Sequence, residues 1–138
     1  MPSEWKSFMR GFVLLIVFVF PVMSWAQERR IGPPASLKCD RSEVTLYDGR
    51  VFTYRRRRGK TSLRVRTSFD TTEVVNIIHP GTDDPSKFYL INGGPFTPAD
   101  WKRIEKRKGA LKNGMNANIW VCRDNPSIQP VVDWRPAS

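Results

Sequence analysis

One histidine and two cysteines are all the soft-ligand chemistry in these 138 residues. That is too little for a structural zinc site, which takes four Cys or His side chains. Cys39 and Cys122 are also too far apart in sequence for a Cys-x-x-Cys redox pair. No Gly-x-Ser-x-Gly elbow occurs, and the glycine pair in Asn92-Gly93-Gly94-Pro95 fits neither phosphate-loop pattern, so it reads as a turn. There are no internal repeats. Acids are missing from one long stretch: none lies between Gly49 and Phe69. No catalytic residues, metal ligands or cofactor site emerge from the spacing. The carboxylates are scattered, and their pairing in space is not readable.

The N-terminus carries the one long apolar run. MPSEWKSFMR supplies Lys6 and Arg10, then GFVLLIVFVFPVM, then Ser24-Trp25-Ala26. A basic start, a dozen apolar residues and a small-x-small exit describe a signal peptide over residues 1–26. The run is shorter than the roughly 20 residues needed to span a bilayer. The expectation is export, with a periplasmic or secreted product and no integral membrane anchor after cleavage. In an oxidising compartment Cys39 and Cys122 most simply form one disulfide. The chain-entropy estimate for so long a loop is about 4.5 kcal/mol.

Residues 27–138 hold 21 Lys and Arg against 12 Asp and Glu. Eight of those cations (Arg50, Arg55, Arg56, Arg57, Arg58, Lys60, Arg64 and Arg66) fall between Gly49 and Phe69. The basicity is therefore concentrated, where a general solubility bias would be spread out. Val44–Tyr47 and Val51–Tyr54 are rich in β-branched and aromatic residues. Asp48-Gly49 between them predicts a hairpin turn, and Arg58-Gly59-Lys60 predicts the next. Leu63, Val65, Thr67 and Phe69 alternate with Ser62, Arg64, Arg66 and Ser68, one apolar face and one basic. A three-stranded meander over 44–69 follows, with Phe52, Tyr54 and Arg56 on one face and Arg55 and Arg57 on the other. Like charges across strands repel, so stability alone would not select this pattern. The expected anion-binding residues are Arg55, Arg56, Arg57, Arg58, Lys60, Arg64 and Arg66, with Tyr47, Phe52 and Tyr54 near enough to stack on bases.

Further along, residues 73–78 predict a central strand and 87–91 a short one. His79 falls in the loop between them, with no partner suggested by the sequence. Asp83-Asp84 reads as a polar turn. Thr97-Pro98-Ala99-Asp100 predicts a helix start, with Trp101 and Ile104 facing a sheet and a stop near Gly109 or Lys112. Residues 117–122 predict the last strand. The expected organisation is a signal peptide (1–26), a leader (27–36), one disulfide-stapled domain (37–123) and a Pro-containing tail (124–138), pinned by Trp134. The expected fold is α+β, mainly β: an antiparallel sheet or OB-like barrel of about five or six strands, with one helix before the last strand.

Asp48-Gly49, a basic meander and Asp70-Thr71-Thr72-Glu73 together resemble the staphylococcal-nuclease family, an exported barrel nuclease. The resemblance spans about 26 positions. It implies metal and base roles near Asp48, Asp70 and Glu73. Arg50, however, stands where that family has its second metal-binding Asp, and Val65 where it has a phosphate-clamping Arg. Membership is not inferred.

Three functions are compatible with these observations. The first is a non-enzymatic exported binding or accessory protein whose arginine face meets an anionic envelope component, an acidic protein or nucleic acid. The second is a divergent nuclease-like phosphodiester hydrolase. The third is a structural subunit of an envelope complex.

Overall fold

The computed structural model describes residues 32–137. The expected signal peptide and the first half of the leader (27–31) lie outside the described residues. The fold is α+β and mainly β. Its strands are β1 (Val44–Arg57), β2 (Gly59–Thr67), β3 (Thr72–His79), β4 (Tyr89–Ile91), β5 (Gly94–Pro95), β6 (Glu105–Arg107), β7 (Ala110–Leu111), β8 (Asn116–Cys122) and β9 (Val131–Arg135); α1 covers Trp101–Ile104. Seven strands form one sheet in the order β3-β2-β1-β8-β9-β4-β5, and β6 and β7 form a separate hairpin. The sheet is mixed, because β4 runs parallel to β9. It has edges at β3 and β5, so strand pairing does not close an OB-like barrel. Among the described residues no helix is long and apolar enough to cross a membrane.

β1 corrects the expected first hairpin. Asp48-Gly49 is not a turn, and β1 runs unbroken for 14 residues. Its first half pairs antiparallel with β8, from Val44 opposite Cys122 to Arg50 opposite Asn116. That long-range ladder overrides the local turn preference. Gly49 is needed for another reason: a Cβ there would overlap the Arg66 carbonyl of β2. The Arg58-Gly59 turn does form, with Gly59 at φ +83, a conformation that favours glycine. A β-bulge between Val51 and Thr53 shifts the register of β1 on β2. Phe52 sits in it and is 54% exposed instead of facing inward with Tyr54. Phe69 lies past the end of β2 and is also exposed.

The Cys39–Cys122 disulfide forms, with a Cα–Cα distance of 5.8 Å. It ties the chain before β1 to the end of β8. Leu37, Trp120 and Val131 pack beside it as a small second core. The main core lies on the other face of the sheet, where Leu63, Val65, Ile77, Ile119, Val132 and Trp134 are fully buried.

Two further expectations change. Residues 131–135 are not a tail: β9 pairs with both β8 and β4, and Trp134 is at the centre of the core. The run Val131-Val132-Asp133-Trp134 is β-prone. Asp133 is buried there with its carboxylate satisfied: the Gly93 N–H (3.0 Å) and the Arg135 guanidinium (2.6 Å) donate to it, which offsets the cost of its burial. The helix starts as expected, through a 3-10 turn (Pro98–Asp100) that leads into α1 and has Pro98 at its first position and a capping box between Thr97 and Asp100. It ends at Ile104, where Glu105 turns extended. Gly109, expected as the helix cap, is instead in the β6–β7 turn at φ +79.

Candidate anion-binding face

Strand parity sorts the basic segment into two environments. Beyond the bulge, Thr53, Arg55 and Arg57 of β1 stand opposite Arg64, Ser62 and Lys60 of β2. β3 extends the rows: Lys60 is opposite Ile78, Ser62 opposite Asn76, and Arg64 opposite Val74. The alternate residues of β2 and β3, namely Thr61, Leu63, Val65, Val75 and Ile77, are buried in the core. The nine outer positions therefore make a grid, about 5 Å across strands and about 7 Å along them. Four of the nine are cationic. Arg57 and Lys60 are directly opposed like charges. Among the described residues, none of Arg55, Arg57, Arg58, Lys60 and Arg64 forms an ion pair. A depression of about 430 Å³ lies between Arg55, Ser62, Arg64, Val74 and Asn76. Val74 and Ile78 are 57% and 43% exposed beside the cations.

Arg66 is on the outer face too, but it pairs with Asp70 across the β2–β3 turn. Both partners are solvated, so that pair contributes little to stability.

Arg56 is the exception among the expected anion-binding residues. It points inward with Tyr54, as parity predicts, and its side chain is only 8% exposed. Its guanidinium meets Glu105 as a fork: Nε to Oε2 at 2.9 Å and Nη2 to Oε1 at 2.7 Å. Nη1 donates to the Asp83 carbonyl at 2.9 Å, and the group lies 4.5 Å from the Trp101 ring centroid. The Tyr54 hydroxyl donates to Glu105 Oε2 at 2.6 Å. Its bond to Glu105 raises the Arg56 pKa further above its ordinary value. Burial, foremost, pushes the Tyr54 hydroxyl far above its ordinary 10.0. Arg56 is buried, with all three of its guanidinium nitrogens donating to Glu105 or the Asp83 carbonyl, and it is a packing residue. Glu105 ends the helix because its carboxylate is held here. The sequence concealed this by placing Glu105 in a run that otherwise reads as a helix face.

The aromatic residues expected to stack on bases are not on the cationic face. Tyr54 is tied to Glu105, and Tyr47 packs against the core. Phe52 instead borders a second basic region that the sequence did not suggest. This cleft, of about 630 Å³, has Arg50, Lys106, Arg107 and Lys112 around it and no acid in its lining. Only the fold brings the β6–β7 hairpin beside β1.

His79 is buried at the end of β3, contrary to its expected place in an open loop without partners. Its Nδ1 donates to the Thr82 carbonyl, and its Nε2 accepts from the Thr61 hydroxyl, both at 2.8 Å. The ring therefore closes the β2–β3 end of the core.

The acids of the nuclease resemblance are dispersed. Asp48 is mid-strand and accepts from Ser68, Asp70 is paired with Arg66, and Glu73 stands opposite Val65. Among the described residues, the one compact group of His, Cys or acid side chains is Cys39, Cys122 and Asp124. Its sulfurs are joined to each other. Comparison with known proteins adds no family: no family model, curated protein or solved structure matches the chain.

Proposed function

We propose that the protein is an exported, non-enzymatic binding or accessory protein of the cell envelope. Its cationic outer sheet face holds an anionic component of that envelope. The observation that carries this reading is the row-by-row clustering of Arg55, Arg57, Lys60 and Arg64 on one face without a compensating acid. Such clustering costs stability through like-charge repulsion. An arginine fork recovers it by bidentate contact with phosphate or carboxylate. Export is supported by the N-terminal segment and by the disulfide, a bond that persists in oxidising compartments.

The test uses the chain expressed with its own N-terminus and purified oxidised from the exported fraction. A first residue of Gln27 is expected. The protein is titrated against anionic vesicles, lipopolysaccharide, duplex DNA and single-stranded DNA at several salt concentrations. A variant with Arg55, Arg57, Lys60 and Arg64 changed to Gln runs beside it. Binding of at least one anion at physiological salt is expected, with affinity and salt dependence both reduced in the variant. Equal binding by both proteins, or none by either, removes the reading.

A further inference from the structure

We infer that the partner of the outer face is an anionic lipid bilayer, bound flat against the β1–β2–β3 surface. This rests on the reading of that face as an anion-binding surface, and it names the anion. Three features favour a surface over a soluble polymer.

The first is the layout of the charge. Arg55 and Arg57 lie two residues apart along β1, and Lys60 and Arg64 four apart along β2, in adjacent strands. The cations therefore extend in both dimensions of a sheet face. A single strand or duplex backbone is tracked by a groove or line of charge, whereas headgroups present charge in two dimensions.

The second is the apolar content. Val74 and Ile78 are exposed on β3 in the same rows as Arg64 and Lys60. Facing sugar or phosphate they would gain nothing. At a bilayer surface they reach the boundary between headgroups and acyl chains, with the cations left at headgroup level.

The third is what the face does not offer. None of the nine grid positions is aromatic, so bases have nothing to stack on. The Ser62 hydroxyl donates to Asn76 Oδ1 at 2.8 Å, so that donor and that oxygen are already engaged with each other.

The experiment is co-sedimentation of the exported, oxidised chain with vesicles of phosphatidylglycerol mixed into phosphatidylcholine, and with pure phosphatidylcholine. Polyphosphate and duplex DNA serve as soluble polyanions. One variant carries Arg55→Gln, Arg57→Gln, Lys60→Gln and Arg64→Gln; a second carries Val74→Ser and Ile78→Ser. All three proteins share the N-terminus, so any contribution from it is common to them. The six positions are exposed or half-buried, and matching unfolding transitions show that the folds are intact.

Binding to the anionic vesicles and not to phosphatidylcholine is expected. Each cation near such a surface is worth about fivefold, so the first variant, which lacks four, should lose roughly 600-fold. The second should lose roughly tenfold on vesicles and nothing on polyphosphate. Suppose instead that wild type binds polyphosphate or DNA as tightly as vesicles, and the Val74/Ile78 variant is unaffected. Then the lipid assignment is wrong while the anion-binding reading stands. Vesicle binding unchanged in the first variant, or no binding to any anion, overturns both.

Discussion

Arg55, Arg56 and Arg57 are consecutive in sequence and sit in opposite environments. The inner region, around Arg56, is tied together by directed contacts: Glu105 accepts from Arg56 and Tyr54, and Arg56 also donates to the Asp83 carbonyl and lies over the Trp101 ring. The outer region, around Arg55 and Arg57, leaves its cations unpaired and opposes two of them across strands. A strand turns alternate side chains to opposite faces, so one run of arginines serves as a buried connector and as an open surface. A count of charge along the sequence cannot make that distinction. The inner arginine should be required by the fold and the outer ones dispensable to it.

The largest test of that contrast is Glu105→Ala. It strands a buried guanidinium and should cost about 3 to 5 kcal/mol in denaturant unfolding. Arg55→Ala should stay within about 0.5 kcal/mol of wild type. Comparable losses for the two would erase the distinction between the faces.

Alkali probes the inner region alone. Burial raises the pKa of both Tyr54 and Tyr89 above the ordinary 10.0. A group whose folded pKa is raised stabilises fully below its unfolded pKa and loses that contribution as pH climbs past it. The unfolded chain releases these two protons above about pH 10 while the folded chain holds them. Each tyrosine then removes about 1.4 kcal/mol of stability per pH unit. Unfolding free energies measured from pH 9 to 11 should fall by about 3 kcal/mol from this source, and by about half that in Tyr54→Phe. A slope identical in the variant would place Tyr54 in solvent.

Much of this arrangement was legible in the sequence, and the limits follow from range. The period-two pattern of β2, the Arg58-Gly59 turn, the disulfide and the inward pairing of Tyr54 with Arg56 all depend on neighbours or on a single constraint. Asp48-Gly49 misled because its turn preference is local, whereas the ladder of β1 with β8 is formed by residues some 70 positions away. Glu105 misled in the same way: helix patterning is local, and Arg56 and Tyr54 are 49 and 51 residues distant. β9 was hidden because Pro126 and Pro130 make its approach look like a tail. Phe52 left the inner face because one bulge residue shifts the strand's parity, and nothing in Val51-Phe52-Thr53 marks a bulge.

A hydroxyl comparison sharpens the inner region further. Tyr54→Phe removes a hydrogen bond to a charged carboxylate and should cost roughly 1.5 to 3 kcal/mol at neutral pH. Tyr89 is deeper than the partly buried Tyr54 and in edge contact with Trp134 and Phe96, but its hydroxyl has no hydrogen-bond partner among the described residues. Tyr89→Phe should therefore leave stability unchanged or slightly higher. If the two substitutions cost the same, the Glu105 bond would not be what distinguishes them.

The smallest effect on stability comes from the outer face, and it carries the sharpest consequence. Arg57 and Lys60 oppose each other directly. Arg57→Glu replaces a repulsive cross-strand pair with an attractive one and should raise stability by about 0.5 kcal/mol, more at low salt. The same change removes two units of positive charge from the face, so affinity for anionic vesicles should fall roughly thirtyfold. A surface shaped only for solubility would gain the stability and lose nothing. A surface kept for an anion must trade one for the other, and opposite signs of the two effects in one variant would identify it as such.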